Sequence, residues 1–235
     1  MIIKEVSKDW SLLNKVGAVA ALIIVGFMPL QMVVFFVWPP PTTVSGWFGL
    51  FSENAIVGLL DMDLLLILDY VLLVLVFLAL WGVLRRGNEP LVTVALIFQI
   101  VGTAAYFSSA TAFEMLSLSS QYATVTTDSE RSILLSAGQA MLASWQGTAF
   151  NVSYVIGAIA ALIMSLVMLK NRQLFGRFAA HTGIVAGVLG LVPSTAGQVG
   201  LVFSLISLPP LTIWLVLVGK GLLKQARIID HDEAR

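Results

Sequence analysis

Cysteine is absent from the chain. That excludes disulfides, iron–sulfur ligation and cysteine nucleophiles, and it leaves the redox compartment open. Charge is also scarce. Asp, Glu, Lys and Arg make up 11% of the 235 residues, where a soluble domain carries about a quarter. A water-facing surface needs more polar side chains than this. Formal net charge is zero, so no overall bias points to nucleic acid or to an acidic partner. Histidine occurs only at His181 and His231, which argues against membrane haem held by paired histidines and against an H-E-x-x-H zinc site. There is no phosphate-binding P-loop and no G-x-S-x-G elbow. No metal site and no cofactor is expected, and an enzyme reading would rest on carboxylates and tyrosines alone.

What the chain does have is apolar length. Hydrophobic residues are 58% of it, gathered in runs of the kind that cross a ~30 Å hydrocarbon core with about 20 residues each. They predict an all-α integral membrane helical bundle, a single transmembrane domain of about six transmembrane helices, at residues 16–37, 64–84, 91–113, 147–169, 178–192 and 199–218. The fifth run is short for a span, because Pro193-Ser194-Thr195-Ala196-Gly197-Gln198 marks a turn. The first is too long for the apolar region of a cleavable signal peptide and reads as an uncleaved signal anchor. Lys and Arg collect on cytoplasmic flanks. With six spans and the N-terminus inside, Lys4, Lys8, Lys15, Arg85, Arg86, Lys170, Arg172, Arg177, Lys220, Lys224, Arg227 and Arg235 all fall inside. Of the 13 basic residues only Arg131 is left outside. Both termini are therefore expected in the cytoplasm, with the chain a multi-pass protein of the cell (plasma or inner) membrane.

Two outer loops stand out. The first holds Trp38-Pro39-Pro40-Pro41 and then Trp47, Phe48 and Phe51, aromatics suited to the headgroup layer. The second, 114–146, contains a helix after the capping-box pattern of Thr127 and Glu130, with Ile133, Leu134, Ala137, Met141 and Trp145 at helical spacing. This helix is expected across the outer mouth of the bundle or flat on the headgroups. In the fourth run Ser153, Gly157, Ala161 and Ser165 recur at i+4, and the fifth carries Gly183 and Gly187. Small faces let helices approach closely in lipid, here between the fourth and fifth spans or in a homo-oligomer. Pro29 and Pro209-Pro210 fall inside spans and free backbone carbonyls there; Ser204 and Ser207 are on hand as partners.

The polar residues inside the spans are few. Asp69 lies sixteen residues from Arg85, about 24 Å along a helix at 1.5 Å per residue. No Lys or Arg sits inside any run to pair with it, so its carboxylate is protonated, hydrated or neutralised by a cationic ligand. The same count from the inner flank of the other spans reaches Gln31, Tyr106, Tyr154 and Ser204. These predict either a shared polar pocket at one depth or separate interhelical hydrogen bonds of about 1 kcal/mol each. Gln99, Thr103, Tyr106 and Glu114 fall on one face at 100° per residue. Asp61, Asp63 and Glu114 sit near the outer boundary, and with Glu53, Asp128 and Glu130 they make the outer half acidic. That acidity draws in cations or is simply solvated.

Several stretches resemble an uncharacterised family of prokaryotic membrane proteins, domain of unknown function 4386. They are WPPPTTV at 38–44, WFGLF at 47–51, GLLDMDLL at 58–65, AFEMLSLSSQYA at 112–123, AGQAMLASWQGTAFNVSYV at 137–155 and GVLGLVP at 187–193. The resemblance implies a several-span membrane protein and transfers no activity. Two readings of function stand beside each other. One is a small-ligand- or cation-binding, transport-type protein whose outward-facing pocket uses Asp69, Tyr106, Tyr154, Gln31, Asn151 and Gln99, with Asp61 and Glu114 as an acidic mouth. The other is a non-catalytic scaffold or regulatory subunit that holds a second membrane protein. A membrane enzyme using carboxylates is a third. The partners expected are the lipid bilayer, a small ligand or cation, and a homo-oligomer or membrane-protein partner, with no nucleic acid.

Overall fold

The computed structural model describes residues 2–62 and 64–233; Asp63 and Arg235, both used above, lie outside them. The described residues form nine helices joined by short turns, with no strand among them: α1 (Ile2–Val37), α2 (Val44–Glu53), α3 (Ala55–Asp61), α4 (Leu64–Ser109), α5 (Ala112–Tyr122), α6 (Asp128–Trp145), α7 (Thr148–Lys170), α8 (Arg172–Leu189) and α9 (Gly197–Glu233). Four stretches are long and apolar enough to cross a membrane: Trp10–Val37, Leu64–Tyr122, Asp128–Lys170 and Gly197–His231. Their outward faces stay apolar, with Val19, Ile97 and Leu205 about half exposed. Such surfaces belong against lipid.

α4 is two helices. Asn88 is extended (φ −167°, ψ 79°) and splits it into arms 64–87 and 89–109. Pro90 disfavours helical backbone just before it, and Asn88 Oδ1 accepts from Leu91 N at 3.3 Å to start the second arm. The arms fold back on each other. Trp81 Nε1 donates to Thr93 Oγ1 at 2.9 Å, Thr103 Oγ1 to the Tyr70 carbonyl at 3.4 Å, and Tyr70 stacks on Tyr106 with centroids 4.1 Å apart. The second and third apolar runs are thus a helical hairpin. The second arm stops at Ser109, short of the expected 113, because Thr111 leaves helical geometry (φ −124°, ψ 18°) and its hydroxyl donates to the Met141 carbonyl of α6.

The bundle packs α4 against α7 and α1, α1 against α9, and α8 between α7 and α9. Its core runs from Ala18, Ala21 and Ile24 through Phe77, Leu80 and Leu84 to Met164, Met168, Trp214 and Val218. The small residues of α7 serve two neighbours. Gly102 of α4 faces the Ser153 carbonyl and the Gly157 nitrogen, while Gly183 of α8 sits against Ser165 and Trp214, and Gly187 against Leu162 and the Ala158 carbonyl. α8 breaks at Gly176 (φ 77°), a left-handed conformation that glycine tolerates. Its arm beyond the break, 177–189, is about 20 Å at 1.5 Å per residue, shorter than the other apolar helices. α9 runs on through Pro209-Pro210. Ser207 Oγ donates to the Ser204 carbonyl at 2.7 Å rather than to the carbonyls the two prolines free.

Both α1 and α9 extend well beyond the apolar runs expected of them. Their extensions meet: Ser11 Oγ donates to Asp230 and to the Ala226 carbonyl, and Lys15 Nζ lies 2.8 Å from Asp230 Oδ2. Nearby the Arg85 guanidinium sits over the rings of Trp10 (4.4 Å) and Trp81 (4.8 Å), and Asn171 stands against Gly87. The α4 turn, the α7–α8 junction and both terminal extensions therefore share one end of the bundle.

At the opposite end α2, α3, α5 and α6 build a second core from Trp47, Phe48, Phe51, Met62, Ala112 and Met115. This corrects the headgroup reading of the first loop. Trp47 and Phe48 are 1% exposed, and only Trp38 remains open. Burying a large apolar side chain contributes about 1.5–3 kcal/mol, which is what holds these short helices together as a cap. Asn54 and Thr43 cap α3 and α2, and the Ser119 hydroxyl of α5 donates to the Phe48 carbonyl at 2.8 Å. α6 begins as its pattern predicts. Thr127 Oγ1 accepts from Glu130 N at 3.3 Å, but the hydroxyl also donates to Glu130 Oε2, so the glutamate does not close the box on the Thr127 nitrogen. Gly138 is the one buried residue of α6, and Val44 and Phe48 fill the space where a side chain would stand. α6 is thus a wall of the cap rather than a lone helix on the surface.

Candidate functional site

Asp69 is in the second turn of α4, on the helix face shared by Leu65, Val76 and Leu80, all buried. It is 8% exposed, and its Oδ1 meets no hydrogen-bond partner. No Lys or Arg belongs to the buried set of the described residues. A carboxylate in such surroundings costs several kcal/mol unless it is paired or neutralised.

The neighbouring residue opens an aromatic and polar seam between α4 and α7. Tyr70 stacks on Tyr106, which is 1% exposed. Tyr106 contacts Phe150 at 6.3 Å, and Phe150 contacts Tyr154 at 6.1 Å. Tyr70 Oη lies 3.3 Å from Ser153 Oγ. Below, Gln99 Nε2 donates to Thr103 Oγ1 at 3.3 Å, and that hydroxyl donates to the Gln99 and Tyr70 carbonyls. Of the residues singled out in the sequence, Tyr106, Tyr154 and Gln99 are therefore gathered in one seam that begins at Tyr70, the residue after Asp69. Ser153 belongs to it too, from the small-residue face of α7. The signal for Tyr70 lay in the hairpin: once the turn is set at Asn88, residues equidistant from it, such as Tyr70 and Tyr106, face each other.

Asn151 and Gln31 are engaged elsewhere. The Asn151 carboxamide donates to the Gly147 carbonyl at 2.8 Å and the Gln146 carbonyl at 3.3 Å, and its Oδ1 accepts from Thr195. It ties the first turn of α7 to the turn before α9. Gln31 of α1 reaches the cap, where its Nε2 donates to the Leu60 carbonyl at 3.1 Å.

Asp61 and Glu114 do not share a rim. Asp61 has no exposed surface and both its oxygens lack partners; burial pushes its carboxyl up to about 6. Glu114 is exposed on α5 and lines an open groove with Phe113, Ser117 and Met141. A second groove, between α1 and α4, is lined by Val16, Val19, Ile23, Leu72 and Leu75. Asp69 lines neither of these grooves. His181 is exposed, with Nδ1 2.7 Å from the Arg177 carbonyl. Among the described residues no three of His, Cys, Asp and Glu converge as a metal site would require.

No family model matches the chain, and no curated protein or solved structure does either.

Proposed function

We propose that the chain is a cell-membrane protein that crosses the bilayer six times with both ends in the cytoplasm, and that it binds a small cationic ligand or cation at Asp69. The six crossings are α1, the two arms of α4, α7, α8 and α9, and the cap faces outward. Support for this count comes from the convergence of both terminal extensions, the Asn88 turn and the Asn171 junction at one end, the end at which the basic residues also collect. The similarity to domain of unknown function 4386 is part of the same proposal.

One observation carries the ligand reading: a carboxylate, 8% exposed inside an apolar bundle, that no buried basic side chain neutralises. A positive ligand removes the cost of that charge, and the aromatic seam of Tyr70, Tyr106, Phe150 and Tyr154 begins at the next residue of α4. The cap covers the approach from outside. The test is native mass spectrometry of the full chain in mild detergent, with wild type beside Asp69→Asn. An adduct of defined mass, present in the wild type and lost in the variant, is expected. A bare chain, or one that carries the same lipid or partner in both forms, would leave the scaffold reading in its place.

A further inference from the structure

A second group of unpartnered oxygens lies where α1 meets the last turn of α3, apart from the seam at Asp69. The Gln31 carboxamide is oriented there by its donated bond to the Leu60 carbonyl, 3.1 Å long. That leaves Oε1 buried without a donor. The next residue along α3 is Asp61, with no exposed surface and two carboxylate oxygens that also lack donors. The last turn of a helix adds carbonyl groups carrying partial negative charge.

The elements packed against α3 are α1, α2, α4 and α5, and among the described residues none of them brings a compensating charge. Glu53 and Glu114 are acidic and exposed, and Asp69 is acidic. Lys15, Arg85 and Arg86 lie at the far end of α1 and of the first α4 arm, in the region of the Asp230 pair and the Trp10 ring. The junction thus leaves the Asp61 carboxylate and Gln31 Oε1 without a donated hydrogen bond, the Gln31 amide donating to the Leu60 carbonyl instead. Hard oxygen ligands of this kind suit an alkali or alkaline-earth cation. A single carboxylate balances a single positive charge, whereas a divalent ion would leave net charge in an apolar cap.

We propose that Asp61, Gln31 Oε1 and the C-terminal carbonyls of α3 hold a monovalent alkali-metal cation, which pins the cap to α1. The ion supplies the positive charge the buried carboxylate lacks, and its loss favours release of α3. The site does not depend on a ligand at Asp69.

The experiment is thermal unfolding of the purified full chain in detergent at neutral pH. Chlorides of lithium, sodium, potassium and choline are compared at matched ionic strength. At least one alkali cation should raise Tm over choline, with a rise that grows as the logarithm of its concentration. Asp61→Asn should abolish the difference while matching or exceeding the wild type in choline, because the buried charge is gone. Asp69→Asn should keep the difference. Gln31→Leu, which leaves the carboxylate in place, should move the concentration midpoint at least tenfold higher; it serves as the test if Asp61→Asn does not fold. Equal Tm in all four salts would overturn the proposal. So would a cation effect lost in Asp69→Asn and kept in Asp61→Asn, which would assign the ion to the other carboxylate.

Discussion

At the scale of single residues the chain keeps few polar groups buried, and most of them have a partner. Asn151, Gln99, Thr103 and Ser119 each end in a hydrogen bond to backbone or to a neighbouring hydroxyl. Asp230 is another residue whose surroundings account for it. Hydrogen bonds from Lys15 and Ser11 hold its carboxyl below the ordinary carboxylate range, with the charge of Lys15 adding to the effect. A lowered pKa gives a contribution that is fully present above the ordinary value of 3.8 and is lost as pH falls through the lowered one. At neutral pH only removal of the charge reveals it. Asp230→Asn should free the end of α9 from α1 and speed amide hydrogen exchange across 222–233, with the bundle interior unchanged. Equal exchange in the two proteins would mean that packing at Ala226 and Leu222 holds the end by itself. The two acids without partners, Asp61 and Asp69, stand out against this background.

At the scale of elements the long apolar runs are legible in the sequence because each is set by its own composition. The hairpin arms need only Asn88 and Pro90 between them. The cap is less so. α2, α3 and α5 have 10, 7 and 11 residues, too short for periodicity to fix a face, and their aromatics fit the headgroup layer as well as a core. Only the meeting of two loops distant in sequence decides between them. Asp61 reads as a mouth residue for the same reason: a rim acid and a buried acid look alike until the cap closes over one of them. The small residues of α7 and α8 make a testable element contact. A Cβ on Gly183 would overlap Ser165 Oγ and the Trp214 ring. Gly183→Ala should lower stability by about 1–3 kcal/mol, the usual range for overpacking. Ser165→Ala removes one of the two overlaps, so the double variant should regain part of the loss. Thermal unfolding in detergent measures both. An unchanged Tm in Gly183→Ala would mean that α8 can shift away from α7 and α9 freely.

For the whole molecule the decisive quantity is how many times the chain crosses the bilayer. Four stretches meet the length and apolarity of a span, and the count of six holds only if the α4 hairpin crosses twice and short α8 crosses once. An uncrossed α8 would put α9 in the opposite direction and its end on the outer side. That end is fastened to Ser11 of α1 through Asp230, so the N- and C-terminal extensions must share a side whichever side it is. The absence of cysteine makes the chain a clean background for single-cysteine labelling. Glu89 at the hairpin turn, Ser129 in α6 and His231 near the end of α9 are all exposed. With an impermeant maleimide on intact cells, Ser129→Cys should label, and Glu89→Cys and His231→Cys should label only after lysis. Labelling of Glu89→Cys beside Ser129→Cys would remove the hairpin from the crossings. Labelling of His231→Cys beside Ser129→Cys, with Glu89→Cys protected, would make α8 re-entrant and contradict the joined ends. Only the protected pair with an open Ser129→Cys puts the cap outside, above Asp69, where a ligand could reach it from outside the cell.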